Sequence, residues 1–269
     1  MNTAILTYPG HAFSTYLTVR SVREHISNDP ITLIIDDFFL DGWPSFIQDI
    51  AKLIPDVNIR RFSELQGGIL ATVGRGWIRQ QLIKLNIDRY FDGDVFVVDG
   101  DVIFDAHIDL SVVPLHKLAI INKLDHSFDD YVKTVLNVNK GHFEVDGVWC
   151  QTSSTPFRLL EDGLLKSLRH HVEQLHNTKF TEFHMTLPEV SEWELIEIYR
   201  QTTKYRKPEE LVGSGNHTFD NTVTNLGFKY RHSSMKDDEI GIGWFHYNGV
   251  PITNELWEKS QTWHRKLIR

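Results

Sequence analysis

Residues 95–104 read VFVVDGDVIF: four apolar residues, then Asp99, Gly100 and Asp101, then three more apolar residues. A continuous apolar run of this length is typical of a strand covered on both faces. Two carboxylates two residues apart after such a strand point roughly the same way and can share a hard cation. Glycine between them permits close approach of a phosphate or sugar. The stretch therefore predicts a buried strand ending in a ligand site, although Asp and Gly also suit a plain polar turn.

Alternating strand and helix patterns precede this strand. Apolar spacing predicts, in chain order, a strand at 4–7, a helix at 13–25, a strand at 31–35, a helix at 46–53, a strand at 57–62 and a helix at 76–90. This rhythm predicts the α/β class with a mostly parallel, doubly wound sheet. Ligands of such sheets bind at the carboxyl ends of the strands, where Asp99 and Asp101 lie.

The second half of the chain is less regular. Its patterns predict strands at 118–121, 147–151, 228–231 and 244–247, and helices at 156–171, 191–201 and 254–269. The chain has no internal repeat, low-complexity segment or clear linker. We therefore expect a single domain over 1–269, with a regular half at 1–105 and an irregular half at 106–269.

Composition excludes several classes of protein. The net charge of −8 leaves no basic excess to replace the counterions of a nucleic acid, so we expect no nucleic-acid partner. Apolar runs stay well short of the 18 or so residues of a transmembrane helix. Cys150 is the only cysteine and forms no internal disulfide. Because residues 1–7 look like a strand and not a signal peptide, we expect a cytoplasmic protein.

A family resemblance covers roughly residues 74–105. The sequence Leu82-Ile83-Lys84-Leu85, then Tyr90-Phe91, then the strand ending in Asp99-Gly100-Asp101 resembles the helix–strand–DxD segment of glycogenin-like GT-A glycosyltransferases. The block 76–85 also resembles a bacterial and phage group of GT-A-like proteins of poorly known function. The order of elements from residue 3 onward agrees, whereas the second half matches loosely.

The resemblance implies a GT-A fold, Mn²⁺ or Mg²⁺ as cofactor, and a nucleotide-diphospho-sugar donor, with a UDP-sugar favoured. It implies a hexosyltransferase whose nucleotide-sugar half is 1–105 and whose acceptor half is 106–269. Asp99 would lie near the ribose and the metal, and Asp101 would ligate the metal. Lys84 would reach the nucleotide or its phosphates, unless it is a solvated helix lysine. Arg79 and Gln80 are donor-site candidates on the same helix, and Gly100 of the Asp-Gly-Asp turn is another donor-site candidate.

A divalent metal needs more than two protein or substrate ligands. GT-A enzymes often take a third ligand, commonly His, from the C-terminal part, and the best candidate by resemblance is His246, with His217 and His232 as rivals. His246 shares a strand face with Trp244 by the two-residue period. The alternative is a hydrogen-bonded core histidine.

Glu192 is the candidate general base. Ser191 can N-cap a helix and Glu194 fills the third position of a capping box, which leaves Glu192 in the first turn without a capping role. Such a carboxylate can deprotonate an acceptor hydroxyl, and its distance along the chain from Asp101 resembles that of inverting GT-A enzymes. The alternative is an acidic residue placed by the helix dipole alone.

Other polar residues are secondary candidates. Tyr8, after the first strand, is a candidate for stacking on the nucleotide base, and the pair at 36–37 for binding ribose or base. Trp149, Gln151 and Asp146 suit an acceptor sugar, because a ring can stack on its apolar face and an amide can bind its hydroxyls. A strand tryptophan is more often part of the core.

Two rival functions stay open, and a third is excluded. A haloacid-dehalogenase-like phosphatase would use Asp99 as nucleophile, but that family carries its motif on the first strand. A non-catalytic nucleotide-sugar-binding module keeps the fold without turnover. A Rossmann dehydrogenase is excluded, because no G-x-G-x-x-G follows the first strand.

Overall fold

The computed structural model describes residues 1–7, 12–26, 29–37, 56–66, 76–104, 107, 120–121, 129–138, 143–145, 148–152, 157–203 and 230–232. The chain forms two compact units. The first comprises Met1–Ala71, Val97–Asp109 and Phe228–Arg269, and the second comprises Thr72–Phe96 and Leu110–Gly227. The predicted single domain with halves 1–105 and 106–269 stays a prediction.

Strands and helices alternate along the described chain. The strands are β1 (Asn2–Thr7), β2 (Ile31–Ile35), β3 (Val57–Arg61), β4 (Val95–Asp99), β5 (Val102–Phe104), β6 (Ile120–Ile121), β7 (Phe143–Val145), β8 (Val148–Thr152), β9 (Phe157–Leu160) and β10 (Tyr230–His232). The helices are α1 (Ala12–His25), α2 (Ser63–Gln66), α3 (Gly76–Lys84), α4 (Asp129–Leu136), α5 (Leu164–His176), α6 (Phe180–Met185) and α7 (Glu192–Thr203), and a 3₁₀ helix covers Ile87–Tyr90.

A mostly parallel sheet organises the fold. Its five strands lie in the order β3-β2-β1-β4-β9. β1 pairs in parallel with β2, with Thr3 opposite Ile31, and β2 pairs in parallel with β3, with Ile31 opposite Val57. All five residues of β2 are buried, as a strand covered on both faces requires. Short β5 pairs antiparallel with β10 and contacts α1.

The second unit is built around α7. Every residue from 192 to 200 is buried, and the helix contacts α3, α4, α5 and β8. Beside it, α5 buries an apolar stripe that includes Leu164, Leu168 and Val172, spaced by four residues as helix geometry requires. β8 pairs antiparallel with both β6 and β7. A helix buried on all sides is usually apolar, yet α7 carries three glutamates and an arginine.

The predicted strands of the first half and its first helix agree with the structure. The strands predicted at 4–7, 31–35, 57–62 and 95–98 are β1 to β4, and the helix predicted at 13–25 is α1. The α/β class and the mostly parallel sheet are confirmed. The elements predicted at 46–53, 244–247 and 254–269 lie outside the described residues.

The helix predicted at 156–171 is wrong over its first part and confirmed over 164–171. Residues 157–160 form strand β9, and α5 begins only at Leu164. The run Phe157–Leu160 holds three apolar residues and one arginine, and it is too short for its period to separate a helix from a strand. Gly163 then adopts φ +74°, a left-handed conformation that interrupts any continuous helix and favours glycine.

The helix predicted at 76–90 is divided in two. The α-helix ends at Lys84, and the 3₁₀ helix begins at Ile87. Between them, the buried Asn86 donates its side-chain amide to the carbonyl of Leu82 at 2.8 Å. Such a bond from side chain to backbone competes with regular helix bonding, which explains the break.

Candidate active site

The Asp-Gly-Asp motif forms the turn between β4 and β5. Val95 to Val98 are buried, as predicted, and the strand ends at Asp99. Asp99 and Asp101 are half-buried, and Gly100 between them is buried. The two carboxylates therefore follow the end of a fully covered strand, where ligands of parallel sheets bind.

Gly100 packs against the end of β1 and the start of α1. A β-carbon at this position would lie 2.5 Å from the carbonyl oxygen of Leu6, 3.1 Å from Oγ1 of Thr15 and 3.4 Å from Cβ of Thr7. The Thr7 and Thr15 hydroxyls are hydrogen-bonded to each other at 2.5 Å. The sequence predicted that glycine admits a ligand here, whereas in the structure the backbone of β1 occupies the place of the missing side chain.

Asp36 and Asp37, which follow β2, make contacts that hold neighbouring elements of the structure. The backbone N–H of Asp36 donates to the carbonyl of Thr7 at 3.1 Å, and the Asp36 side chain is buried. One carboxylate oxygen of Asp37 accepts from the backbone N–H of Ser63 at 2.9 Å, and the other accepts from the Ser63 hydroxyl. Asp37 thus holds the start of α2. The ribose or base contact predicted for residues 36–37 stays a prediction.

Lys84 and Glu192 form a buried ion pair in the second unit. The Lys84 ammonium donates to Oε1 of Glu192 at 2.9 Å, and the two side chains are 3% and 6% exposed. The ammonium also lies 4.9 Å from the ring centroid of Trp193, within the range of a cation–π contact. The solvated helix lysine that the sequence left open is therefore wrong for Lys84.

Gln81, on the same helix α3 as Lys84, also contacts Glu192. Its buried amide is correctly oriented when the nitrogen faces the Glu192 carboxylate, because the oxygen then accepts from Nε1 of Trp77 at 3.1 Å. The indole of Trp77 is half-exposed. Gln81 is thus a glutamine of this helix that contacts Glu192, and the donor-site role predicted for Gln80 stays a prediction. Arg79 is buried and Gln80 is half-buried.

Further charged groups surround Trp193. The Arg158 guanidinium lies 5.7 Å from the ring centroid. Burial, partly offset by the Glu197 carboxylate, lowers the pKa of Arg158 to about 10. The guanidinium therefore stays charged at neutral pH. Arg200 donates from its two terminal nitrogens to Glu197 and Glu161, each at 2.6 Å.

A neutral histidine lies beside this charged region. His184 is fully buried, its Nδ1 is 2.9 Å from the carbonyl of Phe180, and its Nε2 is 3.0 Å from the Tyr131 hydroxyl. The carbonyl requires a proton on Nδ1, so Nε2 accepts from Tyr131. Burial lowers the pKa of His184 to about 4, and burial with Glu192 and Glu194 raises the pKa of Tyr131 well above 10.

We expect His184 to make stability pH-dependent in acid. Its pKa falls from 6.5 in the unfolded chain to about 4 in the folded one, so the unfolded state binds the extra proton between these values. The stability is thus complete above pH 6.5 and is lost as the pH falls toward 4. From pH 7 to 5 the free energy of unfolding should drop by roughly 2 kcal/mol from this group.

Urea unfolding of the wild type and of His184→Gln at both pH values measures the effect. The variant should have the flatter dependence, and the exposed His170→Gln should behave like the wild type. Equal slopes for all three proteins would contradict the assignment of a neutral, buried His184.

The remaining predicted site residues are incompletely described. Tyr8, His246, His217, Trp244 and Asp146 lie outside the described residues. His232 lies in β10, and Trp149 and Gln151 lie in β8, without a described side chain. Among the described residues, no group of three or more His, Cys, Asp or Glu side chains is arranged to hold a metal. None of the helices in the described ranges has the length and apolarity needed to cross a bilayer.

Comparison with known proteins identifies the family. The model of DUF6492, a family of unknown function, matches residues 17–232. The chain belongs to DUF6492. None of the curated proteins compared with this DUF6492 protein matches it.

Two solved structures of glycosyltransferases are similar to this DUF6492 protein. The galactosyltransferase LgtC, crystallised with donor and acceptor sugar analogues, aligns with a TM-score of 0.50 and 11% identity, over 97% of this chain and 96% of LgtC. The apo structure of WbbM, a bifunctional glycosyltransferase, aligns with a TM-score of 0.45 and 14% identity, over 96% of this chain and 51% of WbbM. The likeness to LgtC confirms the predicted GT-A fold. The particular resemblance to glycogenin stays a prediction.

Sequence reasoning missed Gln81, Trp193 and Arg158. Trp193 directly follows Glu192 in the sequence, which makes it a neighbour of a candidate residue. Nothing in its spacing indicates that its ring faces Lys84. Gln81 lies three residues before Lys84 and therefore on a neighbouring part of the same helix face. Arg158 was assigned to a helix, and its place in β9 explains why its burial was not expected.

Proposed function

We propose that this DUF6492 protein is a metal-dependent glycosyltransferase that moves a sugar from a nucleotide-diphospho-sugar to an acceptor hydroxyl. The observation that carries the proposal is the placement of Asp99 and Asp101 on a tightly packed turn at the end of β4 in a GT-A fold. Two half-buried carboxylates at this end of a parallel sheet are suited to a metal-bound diphosphate. A UDP-sugar, and transfer of a hexose, are the favoured case.

The oxygen ligands of Asp99 and Asp101 fit Mg²⁺ or Mn²⁺. Both carboxylates supply hard oxygen ligands, and Mg²⁺ is commonly bound by one or two carboxylates with the other positions filled by water and substrate phosphates. Asp101 and Asp99 would hold the ion, and His246 is proposed as a further ligand. When bound, the ion would neutralise negative charge on the leaving diphosphate. The packing of Gly100 on β1 fixes the backbone between the two ligands.

The reaction exchanges one bond at the anomeric carbon. The acceptor oxygen forms a bond to that carbon, the bond from the carbon to the diphosphate oxygen breaks, and the nucleoside diphosphate leaves. The hydroxyl proton passes to a base. We propose Lys84, Arg79, Gln80, Tyr8 and Gly100 as donor-site residues.

The base assignment of Glu192 made from the sequence stays a prediction, and it implies inversion at the anomeric carbon. Burial and the ion pair with Lys84 favour a different role for this carboxylate. If no base lies opposite the leaving group, retention becomes the expected outcome.

We expect one nucleoside diphosphate to stabilise the protein only in the presence of Mn²⁺ or Mg²⁺. At 100 times its Kd the ligand should add roughly 2.7 kcal/mol to the free energy of unfolding. This raises the melting temperature by roughly 5 °C or more for a protein of this size. The measurement is thermal unfolding with UDP, GDP, ADP and their sugar conjugates, with and without the metal, for the wild type and Asp101→Asn.

The exposed Glu64 of α2 provides the charge-matched control. Glu64→Gln should keep the full metal-dependent shift, whereas Asp101→Asn should lose it. A wild type that is well folded but shifts with no nucleotide would contradict the proposed function. A shift without release of nucleoside diphosphate from any nucleotide-sugar would instead favour the non-catalytic binding module.

A further inference from the structure

The ion pair between Lys84 and Glu192 joins two elements that are far apart in sequence. Lys84 is the last residue of α3, and Glu192 is the first residue of α7, 108 residues later. Both side chains are more than nine-tenths buried. The contact therefore fixes the end of one helix against the beginning of another, inside the second unit.

The Glu192 carboxylate is engaged by protein groups. Oε1 accepts from the Lys84 ammonium at 2.9 Å, and the correctly oriented amide nitrogen of Gln81 donates to both carboxylate oxygens. A general base must have an oxygen within hydrogen-bonding reach of the proton that it removes. A carboxylate whose two oxygens already accept from an ammonium and an amide is poorly placed for that task.

Trp193 completes the environment of the ammonium. Its buried ring lies 4.9 Å from Nζ of Lys84, so the cation is held by an opposite charge and by an aromatic ring. The Arg158 guanidinium contacts the same ring. Moving Lys84 toward this second cation is electrostatically unfavourable, which further restricts the ammonium.

Burial makes the ammonium dependent on its partner. An isolated charge in the interior is strongly unfavourable, and removing one member of a buried pair leaves the other uncompensated. Glu192 also lies in the first turn of α7, where the helix dipole favours a negative charge. Glu192 is therefore suited to remain a charged anchor, whereas a proton acceptor must alternate between charged and neutral forms.

We propose that Glu192 is a positioning residue for the transfer reaction: with Gln81, it fixes the Lys84 ammonium against Trp193 and is not the proton acceptor. This inference rests on the proposed function, in which Lys84 is a donor-site residue. It replaces the base role with an electrostatic one, so loss of Glu192 acts on the reaction through Lys84.

A double-mutant cycle separates the two roles. The variants are Glu192→Gln, Lys84→Met and their combination, with UDP-glucose and UDP-galactose as probes, Mn²⁺ present, and UDP release and donor Kd as readouts. If Glu192 acts through Lys84, each single variant lowers turnover and weakens donor binding by about tenfold or more. The turnover of the double variant then lies within about threefold of that of the more impaired single variant. The pH–rate profile of Glu192→Gln then has the same limbs as that of the wild type.

A proton acceptor predicts different results. Glu192→Gln would lower turnover by on the order of 10²–10⁴-fold with the donor Kd unchanged. Its pH–rate profile would lose the acid limb. In the double variant, the loss of turnover would be the product of the losses of the two single variants. Any of these three results overturns the positioning role while leaving the proposed function intact. A wild type that binds neither UDP nor a UDP-sugar overturns the proposed function and this inference together.

A matched control and a second variant guard against unfolding. Glu197 is also a buried glutamate of α7 in an ion pair, and Glu197→Gln should change stability without changing the donor Kd of the folded protein. If Glu192→Gln does not fold, Lys84→Met combined with Glu192→Leu replaces the whole pair by apolar groups, which proteins often tolerate. This protein should fold and be as impaired as Lys84→Met, and wild-type turnover would overturn the inference.

Discussion

Gly100→Ala is expected to lower the free energy of unfolding by roughly 1–3 kcal/mol and to remove metal-dependent nucleotide binding. The new methyl group would lie 2.5 Å from the carbonyl oxygen of Leu6, which belongs to a central strand and cannot move aside like a flexible side chain. The turn must shift instead, and Asp99 and Asp101 shift with it. A displacement of about 1 Å in a catalytic site can lower activity by about 10²-fold.

Gly93→Ala is the matched control for this substitution. Gly93 has φ +83°, and a β-carbon there meets nothing within 4 Å. Gly93→Ala should lower the free energy of unfolding by roughly 1 kcal/mol, through the backbone preference alone. Nucleotide binding should be unaffected. Thermal unfolding with UDP and Mn²⁺ measures both effects. Normal metal-dependent stabilisation of Gly100→Ala would show that close packing under the motif is not required for its function.

Arg200→Met is expected to be the most destabilising single substitution in the second unit, at roughly 3–5 kcal/mol. The Arg200 side chain is 1% exposed and donates to Glu197 and Glu161, each at 2.6 Å. Removing the guanidinium takes the Arg200 cation away from the Glu197 carboxylate, which is 2% exposed. Equilibrium unfolding in urea at neutral pH measures the change.

The chain offers a matched control for this ion pair. Lys133 and Asp130 are also three residues apart on a helix, with Nζ and Oδ1 3.4 Å apart, but their side chains are 36% and 101% exposed. Solvent screens this pair, so Lys133→Met should leave stability essentially unchanged. Similar losses for the two variants would mean that burial does not govern the strength of these pairs, contrary to the argument for α7.

The contrast between these pairs explains an unusual feature of α7. A helix that is buried along its length usually presents apolar side chains to its neighbours. Glu192, Glu197 and Arg200 are accommodated because each has an opposite charge within 2.9 Å. The helix therefore holds its neighbours by ion pairs as well as by apolar packing, and loss of a single charge affects more than one element.

Much of the first half of the fold was predictable. The run at 95–98 and the acidic turn after it define a covered strand by composition alone, and the strand at 31–35 has the bounds predicted for it. These segments are predictable because the local pattern and the final environment agree. The run Phe157–Leu160 was assigned wrongly, because so short a segment fits a strand and a buried helix equally well.

The candidate site was only half predictable. Asp99, Asp101, Lys84 and Glu192 were each identified from the sequence, but as separate functional candidates. Nothing in the spacing of Lys84 and Glu192 indicates that they form an ion pair 108 residues apart, or that Gln81 also contacts Glu192. The close packing of Gly100 was likewise not predictable, since its neighbours come from β1 and α1.

The sequence by itself determined the α/β class, the central strand and the position of the acidic motif at its end, because these depend on residues that are adjacent along the chain. Only the tertiary structure decided which charges are compensated and which glycine has no room for a side chain. Both depend on contacts between distant segments: Glu192 requires Lys84 because both are removed from water, and Gly100 is required because the carbonyl of Leu6 fills the space beside it.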